Sequence, residues 1–295
     1  RFIVVVVVVI VIVVVVIIVV VPILDNDNDN DNDKKHITWR SHPLNLRPTD
    51  LVLVHGWGMN NGVWQGLPDR LRDGCRLHPI ELPGHGEASF DSGRISLPDW
   101  ADACLERAPE HAVWLGWSLG GLVALQAARQ APKRIVALVL MTATPRFVQA
   151  ADWRPAMPAQ TLARFHDALL DEPATTLERF LALQVRGSDD ARGTLRRLRA
   201  ALAPRPTPDP SALRAGLDLL AEEDLRGPLP DIAAPALWLF GGRDTLVPAG
   251  VGERVTLLMP GARSSVIDGA AHAPLLSHAD ETADRIIAFL HEIDR

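Results

Sequence analysis

Val113-Trp114-Leu115-Gly116-Trp117-Ser118-Leu119-Gly120-Gly121-Leu122 reads as a strand, a sharp turn and the start of a helix. The apolar run Val113–Leu115 is too short for a helix and ends at Gly-x-Ser-x-Gly, after which Leu119–Gln130 reads as helical. A strand-to-helix turn this tight forces its central residue into strained backbone geometry and exposes the Ser118 Oγ. The small glycines let neighbouring segments pass close by.

Outward from this turn the same rhythm continues. Leu51–Val54, Leu77–Ile80, Ile135–Met141, Ala236–Phe240 and Ser264–Ile267 read as further buried strands, and Val251–Met259 and Glu281–His291 as helices. Strands alternating with helices predict an α/β fold, a mostly parallel sheet with helices on both faces. The rhythm breaks between Pro145 and Pro230. That region offers amphipathic stretches at Thr161–Leu170, Leu177–Leu183 and Leu195–Leu202, a turn Pro204-Arg-Pro-Thr-Pro-Asp-Pro210, and no strand pattern. It predicts a helical insertion, a lid over about residues 146–229.

A serine hydroxyl is a weak nucleophile until a base takes its proton, and the base needs an orienting acid. After a nucleophile on such an elbow the expected chain order is acid, then histidine. Asp244 follows the apolar run Leu237–Phe240 in Gly241-Gly-Arg-Asp-Thr-Leu-Val-Pro248, and His272 follows Ser264–Ile267 in Asp268-Gly-Ala-Ala-His-Ala-Pro274. Both loops should open at the sheet edge that carries Ser118, where open α/β sheets place ligands. His278 and His291 fall at the ends of the last helix and are expected to face solvent. Asp268 competes with Asp244, but four residues from His272 within one loop it is better suited to shaping the turn.

An oxyanion needs preorganised N–H donors. Leu119, directly after the serine, supplies one candidate. Trp57, in His55-Gly-Trp-Gly-Met59 after the strand Leu51–Val54, supplies the other. His55 and His85, the latter in Pro83-Gly-His-Gly86, are read as structural histidines bonding nearby loops. Acyl transfer at a serine requires neither metal nor cofactor, and no His-Glu-x-x-His or Cys/His cluster at ligand spacing occurs.

Ala191–Arg205 contains five arginines and no acid. Arg192, Arg196 and Arg199 share a helix face at i, i+4, i+7, with Leu195, Leu198 and Leu202 about a quarter turn away. Such a helix can offer a cationic ridge to an anionic partner, or simply be a solvated face whose Arg stems cover apolar surface.

Taken in order, His-Gly-x-Gly, Pro-Gly-His-Gly, Gly-x-Ser-x-Gly, Gly-Arg-Asp and Ala-His-Ala-Pro resemble the α/β-hydrolase superfamily. Within it the chain resembles the pimeloyl-[acyl-carrier protein] methyl ester carboxylesterase family of biotin synthesis. The narrower likeness lies in His55-Gly-Trp-Gly58, Trp114-Leu-Gly-Trp-Ser-Leu-Gly-Gly-Leu122, Glu178-Arg-Phe-Leu-Ala-Leu-Gln184, Glu223-Asp-Leu-Arg226 and Ala270-Ala-His-Ala-Pro274, and spans about residues 37–294. The resemblance implies an α/β-hydrolase fold and hydrolysis of a methyl ester on a pimeloyl chain borne by acyl-carrier protein. Ser118 would be nucleophile, His272 base and Asp244 its orienter, with Trp57 and Leu119 as oxyanion hole. It further implies that Trp57, Met59, Trp117, Phe165, Phe180 and Leu246 line the substrate pocket and that Arg179, Arg192 and Arg196 dock the carrier. A fourth family arginine corresponds to Thr175 here. A general short-chain esterase, an acyltransferase of the same fold, or a non-catalytic hydrolase-like binding protein are the alternatives, since fold alone does not fix substrate.

The 295 residues carry 36 acidic and 30 basic side chains, an excess of acid that argues against a general nucleic-acid binder. Two cysteines exclude a disulfide scaffold and suit a reducing compartment. The first 35 residues stand apart. Phe2–Val21 consists entirely of Phe, Ile and Val, and Asp25–Asp33 alternates Asp with Asn. Twenty apolar residues would make a helix of about 30 Å, enough to cross a bilayer. Insertion would leave Lys34, Lys35 and Arg40 on the side of the large domain and place that domain in the cytoplasm. A cleaved signal peptide fits poorly, because the apolar run is too long and lacks a small-residue cleavage site. The other expectation is a low-complexity segment without functional role, followed by a solvated spacer. Residues 36–295 are expected to form the hydrolase domain.

Overall fold

The computed structural model describes residues 48–294. The expectations for residues 1–35 lie outside them. Six parallel strands form one sheet: β1 (Thr49–Val54), β2 (Cys75–Ile80), β3 (Ala112–Trp117), β4 (Ile135–Met141), β5 (Ala236–Gly241) and β6 (Ala262–Ile267), in the order β2-β1-β3-β4-β5-β6. Side chains alternate across a strand, so a sheet covered on both faces needs apolar residues at consecutive positions. Val52, Val54, Trp114, Leu138, Leu140, Trp238 and Phe240 enter one core layer. Leu51, Leu53, Val113, Leu115, Val139, Met141 and Leu239 enter the other. That is why the four inner strands read as unbroken apolar runs. The outer strands β2 and β6, expected to be buried, instead expose positions such as Arg76, Ser264 and Val266, because each has a neighbouring strand on one side only.

Ten helices connect and cover the sheet among the described residues. The first three are α1 (Asp69–Gly74), α2 (Leu97–Leu105) and α3 (Leu119–Gln130). Between β4 and β5 come α4 (Ala159–Asp171), α5 (Pro173–Val185), α6 (Ala191–Leu202) and α7 (Pro210–Glu222). The last three are α8 (Val251–Leu258), α9 (Pro274–Ser277) and α10 (Ala279–Ile293). Helices α2, α3 and α8 cover the first core layer, and α1, α9 and α10 the second. Among the described residues no helix is long and apolar enough to cross a membrane.

Four helices, not three, interrupt the sheet between β4 and β5. The additional one is α7, which starts at the end of the proline-rich turn. Asp209 accepts from the Ser211 and Ala212 N–H groups as N-cap, and Pro210 occupies the first turn, where it costs no hydrogen bond. Where the insertion begins and ends, the chain is clipped together. Leu225 N donates to Pro145 O at 2.8 Å, and Arg146 pairs with Asp224 at 2.6 Å. Hydrogen bonds from Arg226 and then Arg146 hold the Asp224 carboxyl well below the usual carboxylate range. The insertion therefore leaves the sheet from a cross-linked base.

Candidate active site

The turn after β3 is strained as its sequence predicts. Ser118 sits at φ 55°, ψ −117°, a region that costs a residue with a Cβ about 1–3 kcal/mol. Neighbouring contacts hold it there. Ser118 N donates to Met141 O at 3.0 Å, and Gly121 N to Ser118 O at 2.8 Å. A Cβ at Gly116 would lie 2.3 Å from Gly120 O, and one at Gly120 only 2.2 Å from Val54 O. Both contacts are with backbone that cannot step aside, so the first and last glycines of Gly-x-Ser-x-Gly are there for close approach.

Because all six strands run in one direction, the loops after β1, β3, β5 and β6 open at one sheet edge. Two of those loops deliver Asp244 and His272. The Asp244 Oδ2 lies 2.7 Å from His272 Nδ1, with both side chains almost fully buried. Its Oδ1 accepts from Leu246 N (2.8 Å) and Val247 N (3.0 Å), which fixes the plane of the carboxylate. A carboxylate can only accept, so in the neutral ring the hydrogen resides on Nδ1 and the lone pair on Nε2. The histidine backbone is held from three sides. Trp117 Nε1 (2.8 Å) and Thr142 Oγ1 (3.0 Å) donate to His272 O, and His272 N donates to Gln184 O in α5 (3.0 Å). The Trp117 and His272 rings are 6.2 Å apart, immediately beside the half-buried Ser118. No hydrogen bond joins Ser118 Oγ to His272 among the described residues. Such contacts are often loose without substrate.

The loop after β1 supplies the other side of the site. A Cβ at Gly56 would be 3.2 Å from Ser118 Cβ, so this loop runs directly past the serine. Leu119, at the first turn of α3, has an N–H with no acceptor within its helix. The Trp57 indole donates to Leu213 O of α7 at 2.8 Å and meets Phe165 and Phe180 edge-on, with centroids 5.5 and 4.8 Å away. Trp57, Phe165 and Phe180 therefore gather as one aromatic cluster under the inserted helices. Met59 and Trp117 are buried in the second core layer, and Leu246 is buried beside Asp244.

Arg179, Arg192 and Arg196 are exposed on α5 and α6, and Thr175 is exposed in the first turns of α5. The cationic ridge needs one correction. Arg199 is paired with Glu178 of α5 at 2.7 Å, so the helix-face argument overcounts its charge. His291 and Asp268 are exposed. His278 is only half-buried and lies 2.9 Å from the Ser277 hydroxyl.

Sequence reading missed two polar residues that organise the site, Asn60 and Glu81. Asn60 Nδ2 donates to Leu202 O at the end of α6. Both carboxylate oxygens of Glu81 accept from Asn61 N, at 3.1 and 3.0 Å, and Oε2 lies 2.7 Å from Nε2 of the fully buried His55. His85 accepts from Gly58 N through Nε2 and lies 2.9 Å from Pro83 O through Nδ1, so both histidines do bond the loops. Burial and then the neighbouring His55 push His85 down to about 3. The unfolded chain therefore takes up a proton below the ordinary value of 6.5 that the folded chain refuses until about pH 3. Stability is full above pH 6.5 and falls on acidification, by up to about 1.4 kcal/mol per pH unit from this group. His85→Gln keeps a donor and an acceptor but cannot titrate. Its urea-unfolding free energy should change less between pH 7 and pH 5 than that of the native chain. Equal changes in the two proteins would refute the assignment.

Residues 51–285 match the alpha/beta hydrolase family. A pimeloyl-[acyl-carrier protein] methyl ester esterase of Pectobacterium atrosepticum is 45% identical over 241 residues, covering 82% of this chain and 94% of that protein. The esterase of the same description from Methylococcus capsulatus is 44% identical over 249 residues, covering 83% and 95%. Among solved structures, an esterase from Exiguobacterium antarcticum superposes with a TM-score of 0.74 at 18% identity, over 82% of this chain and 92% of that one. A bromoperoxidase from Bacillus anthracis gives 0.75 at 19% identity, over 83% and 92%. At such identities the likeness is one of fold. The chain belongs to the α/β hydrolase family and, within it, to the family of the pimeloyl-[acyl-carrier protein] methyl ester esterases.

Proposed function

We propose that this protein is a serine carboxylesterase that hydrolyses the methyl ester of pimeloyl-[acyl-carrier protein], releasing methanol and the free pimeloyl carboxylate for biotin synthesis. The observation that carries the reading is the 2.7 Å Asp244–His272 pair, presented at the same sheet edge as the strained Ser118. Ser118 Oγ attacks the ester carbonyl and passes its proton to His272 Nε2, while Asp244 stabilises the imidazolium. The oxyanion is received by the N–H groups of Trp57 and Leu119. His272 returns the proton to the departing methoxide, and methanol leaves. Water, deprotonated by the same base, then attacks the acyl-enzyme and frees the carboxylate and Ser118.

Helices α4–α7 serve as the lid over this site. Trp57, Phe165 and Phe180 supply apolar wall for the acyl chain, with Met59, Trp117 and Leu246 packed behind or beside the catalytic loops. A groove of about 340 Å³ runs between the Trp57 loop and the inserted helices. Leu177, Leu181 and Leu202 line it, with the Arg199–Glu178 pair and Arg205 at its polar edge. That combination suits an extended arm with an apolar body and a polar end. The acyl-carrier protein is the partner, and Arg179, Arg192 and Arg196 are its docking cations.

Purified full-length protein should release methanol from pimeloyl-carrier methyl ester and rescue growth of a biotin-requiring strain that lacks this esterase. Inactivity on the carrier-linked ester, with good turnover of short aryl esters, would overturn the substrate assignment. Reversing Arg192 and Arg196 to glutamate should lower kcat/KM for the carrier-linked ester by about tenfold or more and leave a small aryl ester nearly unchanged, because surface charge acts on partner encounter. Equal losses on both substrates would remove the docking role.

A further inference from the structure

One carboxylate touches both ends of the loop that presents Trp57, a loop also held in its middle by His85 on Gly58 N and by the Trp57 indole on Leu213 O. The loop begins with His55 and ends with Asn61, and Glu81 contacts both: His55 Nε2 at 2.7 Å and Asn61 N at 3.0–3.1 Å. Trp57 lies between these two anchors. The site of this contact is deeply buried, with the His55 side chain 0% and that of Glu81 8% exposed. Burying a carboxylate is costly compared with apolar packing, so the arrangement has little to recommend it as stabilisation alone. The carboxylate also packs against the backbone of a neighbouring turn, where Gly86 adopts φ 53°. A Cβ at Gly86, in the Pro-Gly-His-Gly turn, would lie 2.2 Å from Glu81 Oε1. On the far side Arg205, in the segment after α6, brings its Nε to 3.5 Å from the same oxygen.

We propose that Glu81 is a positioning residue for the reaction: its carboxylate ties the Trp57 loop at both ends and thereby aims the Trp57 N–H at the developing oxyanion. The role rests on the serine-esterase reading but not on the identity of the acyl group. Loss of the carboxylate leaves Asn61 N without its acceptor and removes the neighbour of His55 Nε2, which then keeps only Leu82 N. The two ends of the loop therefore shift while its middle stays tied to His85 and Leu213. The effect falls on the transition state, where the N–H–oxyanion bond is short, and hardly on the bound ester.

The test uses the full-length protein and a small aryl ester, with an alkyl trifluoromethyl ketone as mimic of the tetrahedral adduct. Glu81→Ala should lower kcat by about 10- to 100-fold at nearly unchanged KM and weaken the ketone by the same factor. Glu81→Gln, which keeps an acceptor for Asn61 N and a hydrogen-bonding group beside His55 Nε2, should recover most of both. Glu81→Asp, which withdraws the carboxylate from both ends of the loop, should move kcat and ketone affinity together in the same direction as Glu81→Ala. If Glu81→Ala does not fold, the aspartate variant decides by that same proportionality. A kcat loss without a matching loss of ketone affinity, or no loss in a folded Glu81→Ala or Glu81→Asp variant, overturns the proposal. Failure of the native chain to cleave pimeloyl-carrier methyl ester would instead overturn the substrate reading and leave the aryl-ester comparison intact.

Discussion

Ser118→Ala is expected to abolish turnover of pimeloyl-carrier methyl ester, lowering kcat by about 10⁴-fold or more, while binding of the carrier-linked ester is retained. Without Oγ there is no acyl-enzyme, and what remains is the effect of the oxyanion donors and substrate binding. Single-turnover mixing followed by intact-protein mass measurement should show acylated native protein and an unmodified variant. The same position makes a second, opposite forecast for stability. Alanine retains the Cβ and with it the strain of φ 55°, whereas Ser118→Gly relieves it. The glycine variant should be as inactive as the alanine variant yet more stable than the native chain by about 1 kcal/mol, roughly 2–4 °C in Tm at this size. A glycine variant that melts below the native protein would show that the elbow stores no strain. An alanine variant with more than a few per cent of native activity would place the nucleophile elsewhere.

Much of the frame that sets this serine was legible because it is written locally. Six apolar runs ending in turn residues predict six strands, and Leu119–Gln130 has the bounds read from its sequence. Asp244 and His272 are legible because each follows a strand within a few residues, in the acid-then-histidine order expected after the serine. What escaped notice depends on contacts distant in sequence. Glu81 is an ordinary glutamate in a tight turn until the fold brings its carboxylate to His55 and to Asn61 N, 20 residues away. Gln184 acts through its backbone carbonyl, to which no sequence pattern points. The pairing of Arg199 with Glu178 joins two helices whose mutual angle no single-helix wheel contains. Helix α7 was hidden for a different reason. Its N-cap and first-turn proline are the last two residues of a proline-rich run that by itself reads as a turn.

The geometry around Asp244 separates orientation from stability, and Asp244→Asn exploits that difference. The asparagine can keep its carbonyl oxygen on Leu246 N and Val247 N, where Asp244 Oδ1 accepts at 2.8 and 3.0 Å. Its amide then faces His272 Nδ1 in place of Oδ2, and an N–H can only donate. The ring must accept there and carry its hydrogen on Nε2, so it turns a donor rather than a lone pair toward Ser118. We expect kcat to fall by about 10³- to 10⁴-fold with KM and Tm little changed. Asp244→Ala should be equally inactive and also less stable. It leaves the two buried N–H groups of the Leu246–Val247 turn without an acceptor, at about 1–3 kcal/mol each. Kinetics on the carrier-linked ester and thermal melts of the two variants provide the comparison. Substantial activity in Asp244→Asn would pass the orienting role to another carboxylate, with Asp268 the first to examine. An alanine variant as stable as the asparagine one would mean that the 2.8 and 3.0 Å bonds do not hold the loop, and that His272 is positioned chiefly by Trp117, Thr142 and Gln184 through its backbone.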